Sequence, residues 1–213
     1  MLRKILICAA LALLIAGCGS DKVGGSPDKA ILAYAETVMT GDSPNAAAAG
    51  FGDEYAKSIR LAAVNSFIES MTNIVPLSDA TAQQLTTIFF DKLKGAITFK
   101  ATLKSDGDRP IVELTTTPID YAGTAKAAVG NDDLMALLGM VGQLKADGAT
   151  DEQLKANPEV QALAAAAFGK YVANMTFQAE KTFAVPCDKV TVGGKTHWAP
   201  AEGKALIDFL TGQ

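Results

Sequence analysis

At 213 residues, with 49% apolar and 20% charged side chains, the chain has room for one domain and a small appendage, which excludes both a multidomain machine and a disordered chain. Nineteen basic against twenty-three acidic side chains leave a formal charge of −4, which argues against nonspecific nucleic-acid binding by phosphate neutralisation. The mean hydropathy of +0.19 averages two populations, because apolar residues run uninterrupted only near the N-terminus and are dispersed among charges elsewhere.

Met1 to Cys18 divides into a basic head of Arg3 and Lys4, an apolar stretch from Ile5 to Leu14, and small residues beyond. This is the layout of a secretory signal peptide. The uncharged run from Ile5 to Gly17 would span about 20 Å as a helix, short of a ~30 Å hydrocarbon core, so a permanent transmembrane helix is the weaker reading. Directly after the apolar stretch, Ile15-Ala16-Gly17-Cys18 resembles the lipobox of bacterial lipoproteins. The resemblance implies cleavage between Gly17 and Cys18, with Cys18 as the mature N-terminus carrying a diacylglyceryl thioether and responsible for membrane attachment. Ordinary secretion, with Cys18 a plain thiol or lost, is the alternative.

Gly19 to Pro27 is rich in glycine and serine and has no apolar face, so it reads as a short flexible tether. The expected organisation is a signal peptide over 1–17, a lipidated cysteine and tether over 18–26, and a single α+β domain over 27–213. Loss of Arg3 and Lys4 with the signal takes the formal charge from −4 to −6. Anionic head groups should then repel the domain, and attachment to the cell membrane or outer membrane, facing the extracytoplasmic side, would rest on the lipid. Cys8 leaves with the signal and Cys18 is acylated. Cys187 then has no disulfide partner within the chain, and stands open as a buried apolar residue, a reactive thiol or an intermolecular bridge.

The body opens with Ser26-Pro27-Asp28, an N-cap, a proline at the first helical position and an acidic first turn, followed by Ala30, Ile31, Tyr34, Ala35 and Val38 on one face. The spacing predicts a helix from Pro27 to Thr40 that stops at Gly41. Tyr55, Ile59, Ala62, Ala63 and Phe67 predict a second over Asp53 to Thr72, and Ser78 caps a third over Asp79 to Lys94 with Ala82, Leu85, Ile88, Phe89 and Leu93 inward. Ile97, Phe99, Ala101 and Leu103 alternate with polar residues, turn at Ser105-Asp106-Gly107-Asp108 and return over Pro110 to Thr117 as a hairpin.

A helical stretch follows. Asn131-Asp132-Asp133 caps Leu134 to Leu138, Thr150 to Gln153 resembles a capping box, and Asn157-Pro158-Glu159 opens a helix to about Asn174 that Ala162, Leu163, Ala166, Phe168 and Val172 make alanine-rich and suited to close packing. A second hairpin is expected from Thr176 to Val185 and Lys189 to Val192, turning at Gly193-Gly194 toward His197-Trp198. A final turn or two from Ala201 to Leu210 closes the chain. The predicted fold class is α+β, with the N-terminal helices and the middle helical segment packed on an antiparallel sheet of two or more hairpins.

The lipobox, the tether, Ser26 to Tyr34 and the Thr40-Gly41-Asp42 turn together resemble small bacterial lipoproteins of uncharacterised function. Many of these carry a nuclear-transport-factor-2-like or cystatin-like domain, so the resemblance implies helices on a curved antiparallel sheet, with the Ile119 to Met175 segment as a departure from it. It supplies no catalytic residues.

Chemistry is sparse. His197 stands beside the lone tryptophan, Trp198, and Cys187 is on the other arm of the same hairpin, but no nucleophile elbow or flanking catalytic signature accompanies them. The bland alternative is a half-exposed hairpin in which Lys195, His197 and Trp198 cover an edge. One histidine and one unlipidated cysteine cannot supply a structural zinc site, and no phosphate-binding glycine motif occurs, so no metal or cofactor is expected. Asp132-Asp133 and Asp106-x-Asp108 read as a cap and a turn rather than calcium ligands. Leu134 to Val141, with Met135 and Met140, reads as core before it reads as a partner groove. The leading expectation is a noncatalytic envelope lipoprotein that binds a small ligand or an envelope protein in a concave sheet face. The alternative is a lipid-anchored envelope enzyme using Cys187 and His197.

Overall fold

In the computed structural model, which describes residues 23–128 and 131–212, the first helix is built by the signals at its ends. Helix α1 (Pro27–Thr40) begins at a proline that has no amide to leave unpaired, and ends at Gly41, whose left-handed conformation (φ 73°) lets its N–H donate to the Thr37 carbonyl. Ser26 occupies the N-cap position with extended backbone, but its side chain makes no capping hydrogen bond. Ala30, Ile31, Ala33, Tyr34, Ala35 and Met39 are all buried, well over one face, because α1 lies between other helices and the sheet.

Helices α2 (Asp53–Thr72) and α3 (Asp79–Ala96) pack on α1. Ser78 caps α3 by accepting from the Thr81 amide. Of the expected inward residues of α3, Ile88 is exposed and Phe90 is buried in its place, where it meets Phe89 edge-on while Phe89 stacks on Phe67 with centroids 4.2 Å apart.

Strands β1 (Phe99–Ser105) and β2 (Ile111–Thr116) form the first hairpin. Val112, Leu114 and Thr116 face the core, whereas Leu103, expected inward, is 37% exposed near the irregular end of β1. Helix α4 (Tyr121–Ala128) follows, an element the sequence reading did not resolve. Helix α5 (Asp132–Ala146) is capped by Asn131, and α6 (Asp151–Ala156) carries the full capping box, with Thr150 accepting from the Gln153 amide and Gln153 from the Thr150 amide. Helix α7 (Pro158–Ala173) is capped by Asn157. Its buried residues are Val160, Ala164, Ala167, Phe168 and Val172, while Ala162 and Ala166 are exposed. Helices α5 and α3 both pack on α7, which makes a second layer beside α1.

The second hairpin differs from expectation. Strand β3 (Lys181–Val192) is continuous, and Thr176 to Glu180 precedes it with only an isolated bridge from Phe177 to Ile119. Its first half pairs with β2, from Thr116↔Lys181 to Ile111↔Pro186, and its second half with β4 (Lys195–Pro200), from Cys187↔Pro200 to Val192↔Lys195. The handover falls at Pro186, which has no N–H to give a ladder, while the Cys187 amide donates to Pro110 and the Ala201 amide to the Pro186 carbonyl. The result is one antiparallel sheet of order β1-β2-β3-β4, and α8 (Gly203–Leu210) closes it by stacking Phe209 on Phe183. This is the α+β class expected, with helices packed against a four-stranded antiparallel sheet. No helix among the described residues is long and apolar enough to cross a membrane.

Candidate functional site

The segment assigned by composition to the tether is docked along its described part. Val23 packs on the core, and the Gly24 N–H donates to the Thr196 carbonyl at 2.7 Å as Gly24 bridges His197 in parallel. Three glycines make the crossing. A Cβ on Gly24 would lie 2.9 Å from the Gly50 Cα, one on Gly25 would lie 2.6 Å from the Ala49 carbonyl, and one on Gly50 would lie 2.5 Å from the Gly24 carbonyl carbon. Gly25 and Gly50 also have positive φ, 69° and 78°, which other residues adopt only with strain.

The loop beneath is fixed by α1. Glu36 accepts from the Ser43 hydroxyl, and both its oxygens accept from Asn45 Nδ2, at 2.9 and 3.0 Å. That clamp holds residues 43–52 against the helix and sets Gly50 under Gly24. Phe51, from the same loop, and Tyr55, from α2, enclose His197 with ring centroids 5.1 and 4.1 Å from its imidazole.

His197 is therefore a core residue, not part of a half-exposed edge: it is fully buried, and among the described residues neither ring nitrogen has a hydrogen-bond partner. Burial disfavours the imidazolium and lowers its pKa from the usual 6.5, while the nearby Lys195 carbonyl works the other way without meeting hydrogen-bond geometry for either nitrogen. Burial likewise raises the Tyr34 phenol to about 12 and pushes Tyr55 upward, the latter with help from Tyr34. Trp198 is buried too, with the Lys189 ammonium 5.2 Å from its ring centre.

Cys187 is free, fully buried, and its S–H donates to the Val185 carbonyl at 3.5 Å. Burial pushes the thiol up to about 12, with the Val112 backbone opposing and Asp188 adding, so the thiol is protonated at neutral pH. The register separates it from His197. His197 pairs with Val190, an odd number of residues along β3 from Cys187, so the two side chains leave opposite faces of the β3–β4 ribbon about 10 Å apart along the strand. They do not form a nucleophile and base.

The remaining candidates are structural. Asp132 and Asp133 lie in the first turn of α5, Asp133 beside Lys170 at 3.7 Å, and Asp106 accepts from the Gly107 amide in its turn. No group of three metal-ligating side chains occurs among the described residues. The Leu134 to Val141 run divides, with Leu137 and Val141 buried, Leu134 and Met140 half-buried, and Met135 and Leu138 exposed. The wet sheet face carries Lys104 on Glu113 at 2.8 Å and Thr115 on Thr182 at 3.1 Å. Gly17 and Cys18, the expected cleavage and lipidation residues, lie outside the described residues. The sequence reading missed the Gly24, Gly25 and Gly50 crossing, and the glycine-rich composition was the signal available for it.

Among solved structures, the fold is similar to that of a protein of Bacillus subtilis described as a candidate lipoprotein, YcdA, with a TM-score of 0.55 and 16% identity. The likeness covers 85% of this chain and 55% of that one, so this chain spans about half the length of the protein it matches. At that identity it establishes a shared fold. No family model and no curated protein matches the chain, and nothing in the comparisons supports a nuclear-transport-factor-2-like or cystatin-like assignment.

Proposed function

We propose that the protein is a lipid-anchored envelope lipoprotein, cleaved after Gly17 and acylated at Cys18, whose single domain is a noncatalytic binding module on the extracytoplasmic side of the cell membrane or outer membrane. The observation that carries this reading is the placement of Ile15-Ala16-Gly17-Cys18 directly after a basic head and an apolar stretch. The fold shared with a protein described as a candidate lipoprotein supports it. A noncatalytic role is favoured because the one pair of residues suggested for covalent chemistry, Cys187 and His197, is buried on opposite faces of a ribbon, and Cys187 is held as a thiol.

The test is metabolic labelling with palmitate in the producing cell. Label should enter the wild-type chain and disappear in Cys18→Ala, with the variant released from the membrane fraction; label persisting in that variant would sink the lipidation reading. Crosslinking in intact cells, followed by identification of the retained molecule, addresses whether the module binds an envelope protein or a small ligand.

A further inference from the structure

We infer that the Gly193-Gly194 turn of the β3–β4 hairpin, together with the uncharged loop 43–52, is the end of the domain held against the lipid head-group layer. This rests on the acylation of Cys18 proposed above. Gly24 pairs with His197 in parallel, so the residue before Gly24 lies on the side of the residues before His197. Val23 is thus at the turn end of the hairpin, and the chain joins the body there.

The junction is rigid. The Gly24 N–H is bonded to Thr196, Val23 is packed on the core, and the interlocked Gly24, Gly25 and Gly50 leave no space for the strap to slide. Only Gly19, Ser20, Asp21 and Lys22 separate Cys18 from Val23, and five residue steps reach at most about 18 Å when fully extended. A domain of this length has a radius of gyration of about 16 Å, and so measures about 40 Å across. The leash is less than half the width of the body.

The surface at that end suits an interface with lipid. From Ser43 to Gly52 there is no charged side chain, and Pro44, Ala47 and Ala48 are exposed. Gly193 and Gly194 add none, and Lys195, beside Gly52, has a long apolar stem with a cationic tip of the kind that reaches phosphates. The loop and the turn themselves carry no carboxylate; the exposed Asp42, Asp53 and Glu54 flank the loop, so the contact with lipid is confined to the loop and the turn.

The test uses the lipidated protein, purified from the membrane fraction and incorporated into phosphatidylcholine vesicles containing a head-group nitroxide lipid. In a Cys187→Ala background, a fluorophore is attached at Lys195→Cys or at Lys181→Cys, two exposed positions; Lys181 opens β3, which spans roughly 36 Å from Lys181 to Val192. The Lys195→Cys label should lose most of its emission and the Lys181→Cys label little. Inserting a Gly/Ser segment of about twelve residues between Asp21 and Lys22, which raises the full extension of the leash from about 18 Å to about 60 Å, should remove the difference. Equal quenching at both positions with the native spacing, or a difference that survives the insertion, overturns the inference while leaving acylation standing. Absence of palmitate from the same preparation overturns both. Circular dichroism of each variant confirms that the compared proteins are folded.

Discussion

The backbone amide of Ser78 donates to Oε1 of Gln161 at 2.8 Å across 83 residues of sequence, and the same side chain donates through Nε2 to the carbonyls of Pro76 and Leu154. One amide thus ties the α2–α3 connection, the end of α6 and the start of α7. Gln161→Ala would leave three partly buried backbone groups without that partner, each worth about 1 kcal/mol or more. Urea denaturation should show a loss of roughly 2–4 kcal/mol, and Gln161→Glu should lose the two carbonyl contacts while keeping an acceptor for Ser78. A change within error in Gln161→Ala would mean that water replaces all three bonds.

Gly50→Ala should be among the most damaging alanine substitutions in the loop. Its left-handed backbone alone costs about 1–2 kcal/mol for a residue with a Cβ, and here that Cβ would collide with Gly24. Limited proteolysis should show the Val23–Ser26 segment becoming cleavable before the body unfolds. Gly95→Ala, where nothing lies within 4 Å of the new methyl, serves as a control and should be neutral or slightly stabilising.

His197 makes the fold sensitive to acid. Its folded pKa is depressed below the 6.5 of an unperturbed imidazole, so the unfolded chain binds the proton more readily. The neutral-ring contribution is fully present above that unfolded value and is lost as pH falls through it toward the lower folded one. Unfolding free energies measured from pH 8 to pH 5 should therefore decline. His197→Phe, an apolar ring that fits between Phe51 and Tyr55 and removes two unpaired nitrogens, should flatten the decline. The same slope in wild type and variant would assign the acid sensitivity elsewhere.

Cys187 should resist alkylation. With the thiol pushed up to about 12 and no exposed surface, iodoacetamide at pH 8 should modify it only at the rate at which the protein opens. Modification should become complete once urea crosses the unfolding midpoint. Rapid stoichiometric labelling of the native protein would show the sulfur to be accessible and return it to consideration as a reactive group.

Local signals were legible and distant ones were not. Pro27 and Gly41, the Thr150–Gln153 capping box and Asn157-Pro158 mark helix ends because the groups that satisfy the end lie within a few residues of it. Strand β3 was divided in the reading because Pro186-Cys187-Asp188 breaks the alternation at the point where its partner changes from β2 to β4. The burial of His197 depends on Phe51 and Tyr55, far away in sequence, so no spacing near Trp198 could disclose it. Val23 to Gly25 deceived for a different reason. The absence of a side chain that makes glycine a flexible linker also lets two backbones touch, and composition does not distinguish these uses.

The strand that joins the two hairpins also orders their assembly. Each hairpin closes over a short turn, but the pairing of Thr116 with Lys181 encloses the 64 residues from 117 to 180, including α4 to α7. Closing so long a segment from an unstructured chain opposes the β2–β3 ladder by about 4 kcal/mol of chain entropy. Prior collapse of α5, α6 and α7 into a unit shortens the effective loop and lowers that barrier. The hairpins should therefore form early and separately, with zippering of β2 onto β3 as the late, rate-limiting event.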